Sequence, residues 1–197
     1  MGDVPCALDN RASASQNAAV ESMSELIDTF EANALEAAAE VRRIPVAREA
    51  IHQEIEETTN GALSIVLGAG EFLPEGLMES LRDIQGVLES PTDEQLSNAG
   101  VGICAAFAGV ASAGSVCIAM GPPLVTMASL LMPLHIVLLS AKRIVARPRD
   151  LFDPACLDGE GLRRNLVFIT GPSATADMGP LVRGVHGPHR LRILLLE

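Results

Sequence analysis

Residues 95–141 read QLSNAGVGICAAFAGVASAGSVCIAMGPPLVTMASLLMPLHIVLLSA, 47 residues without one Asp, Glu, Lys or Arg. Such a stretch either crosses a membrane or forms the buried centre of a soluble domain. The first alternative makes a hairpin of residues 99–120 and 124–140, turning at Gly121-Pro122-Pro123. A spanning helix needs about 20 predominantly apolar residues. Three features oppose it. The first segment is mostly Gly, Ala and Ser, which insert weakly. The second holds 17 residues and carries Pro133 and His135 in its interior. The chain has no Trp or Tyr, so it lacks an aromatic interface belt. The second alternative fits better. Parallel strands covered by helices on both faces are near-continuous apolar runs, and residues 101–107, 115–120 and 134–139 are such runs.

Outward from this centre, strands and helices alternate. Residues 1–19 are small and polar and read as a loose arm, followed by a single domain over 20–197. A helix capped by Ser22 or Ser24 runs to about Ala38, with Leu26, Ile27, Phe30 and Leu35 on its apolar stripe. A strand at 41–45 ends at Pro45. A helix at 46–59 stops at Asn60-Gly61. Short elements follow: a strand at 62–67, a helix at 74–82, a strand at 84–88 and a helix opened by Pro91-Thr92-Asp93-Glu94. Beyond the uncharged stretch, 166–170 and 191–196 are strands. This order predicts an α/β domain with a largely parallel sheet.

The length suits one domain, and 48% hydrophobic against 20% charged residues make it globular. The first 94 residues hold 19 acids and 5 bases, and the remainder 6 and 9, giving the net charge of −11. A chain this acidic is not a general nucleic-acid binder, which needs clustered Lys or Arg. Lys142 is its one lysine, against 13 arginines, a bias of composition. The four cysteines, Cys6, Cys104, Cys117 and Cys156, form no C-x-x-C pair and match no zinc or iron–sulfur spacing. No metal site is expected, and Cys104 and Cys117 read as small core hydrophobes. No basic segment precedes an apolar run at the N-terminus, so no secretory signal is expected and the cytoplasm is the expected location.

Ligands of open α/β sheets bind outside the carboxyl ends of strands, and three loops are candidates. Gly68-Ala69-Gly70-Glu71 reads as a turn, since G-x-G-x-x-G is not completed. Thr170 to Asp177 offers the Ser173 and Thr175 hydroxyls, the Asp177 carboxylate and backbone N–H groups, an arrangement suited to an anion. Gly184-Val185-His186-Gly187-Pro188-His189-Arg190 has H-x-x-H spacing, but its proline prevents helical presentation to a metal. It reads as a turn in which His186 is the functional candidate. His135, within an apolar strand, reads as a satisfied core histidine. No G-x-S-x-G elbow or Walker loop occurs.

Phe168-Ile169-Thr170-Gly171-Pro172-Ser173-Ala174-Thr175-Ala176-Asp177, followed by Gly184-Val185-His186-Gly187-Pro188, resembles the closing signature of the LUD-domain family, which includes lactate utilization protein C. Leu131-Met132-Pro133-Leu134-His135-Ile136-Val137 resembles that family's L-x-P-x-H-I-x-V segment. Gly109-Val110-Ala111-Ser112-Ala113-Gly114-Ser115 resembles its G-I-A-E-T-G-[ST] segment. The likeness covers roughly residues 100–197. It implies a three-layer α/β/α sandwich, like ribose-phosphate isomerase, glucosamine-phosphate deaminase and coenzyme A transferases. It also implies a part in oxidising L-lactate to pyruvate beside partner subunits that carry iron–sulfur clusters. With no cluster or other cofactor of its own expected, this chain would be the accessory subunit. One departure is Ser112-Ala113 where the family has Glu-Thr, since a serine cannot take an ionised carboxylate's roles. The retained polar candidates are Ser115, His135, Ser173, Thr175, Asp177 and His186, with Gly171 shaping their loop. Fold analogy alone gives the alternative, a stand-alone binder or enzyme for a small anion such as a sugar phosphate or coenzyme A thioester. The sequence is compatible with a homo-oligomer.

Overall fold

The computed structural model describes residues 15–60, 64–68, 72–88, 90–153, 165–175 and 180–197. Its first unit is a six-stranded, wholly parallel sheet. In spatial order its strands are β1 (Glu40–Ile44), β12 (Arg190–Leu196), β7 (Leu134–Ser140), β4 (Val101–Ala105), β2 (Ile65–Leu67) and β3 (Val87–Leu88). The central strands β12, β7 and β4 are the most apolar, because both their faces are covered.

Side chains alternate across the sheet, and the core divides accordingly. Ile136, Leu138 and Leu194 face one side, under α2 (Arg48–Thr59) and α3 (Leu77–Leu81), whose Ile51, Ile55 and Leu81 are fully buried. Val137, Leu139, Ile193 and Leu195 face the other, under α1 (Ser15–Glu36) and α5 (Pro123–Leu130). The result is the expected α/β/α arrangement. The short α4 (Asp93–Ser97) leads into β4 and is opened by a reciprocal cap between Thr92 and Gln95. Asn60 ends α2 in the left-handed region at φ 48°.

Two expectations change. Residues 115–120 do form a strand, β6 (Ser115–Met120), but outside the parallel sheet. β6 lies in a second sheet of four strands, ordered β8 (Ile144–Val145), β5 (Ala108–Val110), β6 and β9 (Asn165–Ile169). There it runs antiparallel to both neighbours. A continuous apolar run reports burial on both faces, not the identity of the pairing strand. The first helix starts at Ser15, ahead of the Ser22 and Ser24 caps expected for it. A small hairpin, β10 (Ala174–Thr175) and β11 (Val182–Arg183), completes the fold. Among the described residues no helix is long and apolar enough to cross a membrane. The uncharged stretch instead folds into β4, β5, β6, α5 and β7.

Candidate functional site

The loops singled out at the C-terminus meet one another. The Ser173 N–H donates to the Pro188 carbonyl at 2.8 Å, and the Gly184 N–H donates to the Ser173 carbonyl at 2.9 Å. Pairing of Thr175 with Val182 extends the contact into the β10–β11 hairpin. Ser173, Thr175 and His186 therefore belong to one local unit, with His186 exposed at its tip. Asp177 lies outside the described residues.

Two more candidates join this unit to the end of α1. Gly171 is buried at φ +70°, where a Cβ would stand 2.0 Å from the Ala37 carbonyl oxygen. Glycine is required here both by conformation and by space. Ser115 is buried, and its Oγ lies 2.6 Å from Thr170 Oγ1. The turn before Ser115, Ala111–Ala113, is fixed from α1 by the Asn33 amide, which donates to the Ala111 carbonyl at 2.7 Å. Ser112 and Ala113 themselves are exposed. The two signature segments thus clasp the last turn of α1. A Ser115→Ala, Thr170→Val double-mutant cycle should return a coupling of about 1 kcal/mol in denaturant unfolding. Strict additivity would mean that the two hydroxyls do not interact.

The clasp does not stand where loops of a parallel sheet usually bind ligands. The Pro133 carbonyl, just before β7, accepts from the His189 and Arg190 N–H groups at 3.1 and 3.2 Å. The Gly184–Arg190 loop leads into β12, so it sits at the amino ends of β7 and β12. The Thr170 loop follows β9, a strand of the second sheet. The expected placement at carboxyl ends therefore fails for the Gly184–Arg190 loop, and the Thr170 loop meets it only on β9, outside the parallel sheet.

His135 is separate. It sits on β7 between Gly102 of β4 and Leu191 of β12, on the face covered by α5. It is fully buried, and neither ring nitrogen has a hydrogen-bond partner. The expectation of a satisfied core histidine holds for its burial and fails for its hydrogen bonds. Loss of water pushes its pKa down to about 3, so the ring is neutral in the folded chain at pH 7. A sealed ring contacts no solute in this conformation.

The carboxyl ends of the sheet carry a different set of residues, of which the sequence reading picked out only Gly68, and that as a turn. Gly68 follows β2, Phe107 follows β4, and Lys142 and Arg143 follow β7. The Arg143 guanidinium lies 5.0 Å from the ring centres of both Phe72 and Phe107. Its Nε donates to the Phe107 carbonyl. The two rings meet edge to face at 5.1 Å. The beginning of α5 stands at the same end, since a Cβ on Gly68 would lie 3.3 Å from Val125 Cα. The signal in the sequence was position: Lys142 and Arg143 are the first charges after the uncharged run, directly beyond its last strand. Lys142 and Arg143 together bring positive charge to this end of the sheet, the sign that a small carboxylate or phosphate needs.

Cys104 and Cys117 are buried in the core, and loss of water pushes both thiols up to about 12. They act as packing groups rather than thiolates. Among the described residues no group of three or more His, Cys, Asp or Glu side chains is placed to hold a metal.

The LUD-domain model matches residues 23–196. A solved structure of a DUF162 family protein from Deinococcus radiodurans superposes with a TM-score of 0.64. The two are 18% identical, over 89% of this chain and 98% of that one. At that identity the likeness shows the fold alone. No curated protein matches the sequence.

Proposed function

Because this chain belongs to the LUD-domain family, associated with lactate utilisation, we propose that it is a cluster-free accessory subunit of a cytoplasmic assembly that oxidises L-lactate to pyruvate. The observation that carries the reading is the family match across nearly the whole domain, residues 23–196. The electrons leave through iron–sulfur clusters held by partner subunits. The buried, protonated state of Cys104 and Cys117 is consistent with that division of labour. Reconstitution tests it. Partner iron–sulfur subunits from the same host, mixed with this chain, should reduce an artificial acceptor in the presence of L-lactate faster than without it. An equal rate with and without the chain would refute the accessory role.

A second reading rests on Arg143 and Lys142 at the carboxyl ends of the sheet. Here the chain is a stand-alone binder or enzyme for a small anionic metabolite, a sugar phosphate or a coenzyme A thioester. Such a ligand, selective for the native state, raises the melting temperature. Arg143→Gln should reduce that rise, whereas Ser173→Ala, at the opposite end of the sheet, should leave it. Loss of the rise in Ser173→Ala alone would move the anion site to the C-terminal clasp.

A further inference from the structure

Sheet edges expose unpaired N–H and C=O groups, and proteins guard them with charge, proline, shortness or cover. Three of the edges here are guarded. β3 and β8 are two residues each. β1 is five residues long but carries Glu40, Arg42 and Arg43. These are engaged: Arg43 with Asp28 at 2.6 Å, Glu40 with Arg190 at 3.0 Å and Arg42 with Glu54 at 3.5 Å.

Among the described residues, β9 has none of these guards. It reads Asn-Leu-Val-Phe-Ile, without charge or proline. It pairs with β6 in unbroken register over five residues, and no described strand lies on its other side. None of its residues is buried, and Phe168 is 38% exposed. In the adjoining β6 the first four residues are buried, and in β5, on its far side, every residue is.

We propose that β9 is the interface of a symmetric homodimer, in which two copies pair antiparallel, edge to edge, and join their second sheets. The occupant is a second copy because the strand is complementary to itself. A two-fold axis at Val167 sets Leu166 opposite Phe168 of the other copy and Asn165 opposite Ile169, apolar or neutral pairs throughout. The same operation on β1 would set Arg42 against Arg42. Charge also favours this edge. β9 itself carries no charged residue, so the pairing sets no like charges opposite each other.

Sedimentation velocity and amide hydrogen exchange on the full chain, at low and high micromolar concentration, test the proposal. The expected result is a concentration-dependent dimer in which outward-facing amides of residues 165–169 exchange about tenfold or more slowly than in the monomer. Phe168→Lys, which removes no backbone hydrogen bond to β6, should be monomeric. A chain that stays monomeric overturns the proposal, as does a dimer with residues 165–169 unprotected. A folded Phe168→Lys variant that still dimerises overturns it too. If that variant does not fold, the exchange data on the wild-type chain decide.

Discussion

A Gly102→Ala chain is expected to lose most of its folding stability. Gly102 lies in β4, between β2 and β7, on the face covered by α5. A Cβ there would stand 1.9 Å from the Ala128 carbonyl oxygen and 2.6 Å from Ala128 Cα. Both are main-chain atoms of α5, so no rotamer change relieves the clash. Relief requires lifting the helix from the sheet, which opens the packing of Val125, Ala128 and Ser129, all buried. Overpacking usually costs about 1–3 kcal/mol, and a clash between two backbones should exceed that. Domains of this kind are stable by only about 5–15 kcal/mol. The denaturant midpoint should therefore fall steeply, or soluble folded chain should be absent. Ala128→Gly should not rescue it, because the obstructing atoms belong to the backbone. A midpoint near that of the wild type would show that α5 does not pack as closely as described.

Acid should weaken the fold through His135 before surface carboxylates titrate. In the unfolded chain the imidazole takes a proton near its ordinary pKa of 6.5, whereas burial pushes the folded value down to about 3. Between these values the unfolded chain binds a proton that the folded chain refuses. Stability is therefore fully present above 6.5 and is lost as pH falls, by about 1.4 kcal/mol per unit. The accumulated loss approaches about 5 kcal/mol at pH 3. His135→Leu removes this component. Its stability relative to the wild type should rise steadily from pH 6.5 downward and stay constant above it. A difference independent of pH between 7 and 4 would mean that water or a partner reaches the ring. His135 contrasts with buried polar groups that have partners, such as Ser129, whose hydroxyl donates to the Val125 carbonyl at 2.7 Å.

The sequence made the central strands plain for a physical reason. Strands covered on both faces are near-continuous apolar runs, as β4, β7 and, beyond Arg190 and Arg192, β12 are. It did not distinguish β6 from them, because β6 is equally enclosed but pairs elsewhere. α5 was also hidden. Its sequence, Pro-Leu-Val-Thr-Met-Ala-Ser-Leu, has no charged face to mark a helical period. The motif residues Ser115, Gly171 and Ser173 were legible as a group. Their meeting at α1 was not, because the contacts join segments far apart in sequence, as between Asn33 and Ala111. Arg143 was passed over for a related reason. Its surroundings, Phe72 and Phe107, come from two other loops and acquire meaning only once the sheet brings them together.

The most direct test of the accessory-subunit reading is affinity capture of the tagged chain from its native host grown on L-lactate, with iron, acid-labile sulfide and protein identity measured in the eluate. Iron–sulfur proteins should elute in stoichiometric amounts with the chain, and the captured clusters should be reduced on adding L-lactate. A chain recovered without iron, from cells shown to express those proteins, would contradict it.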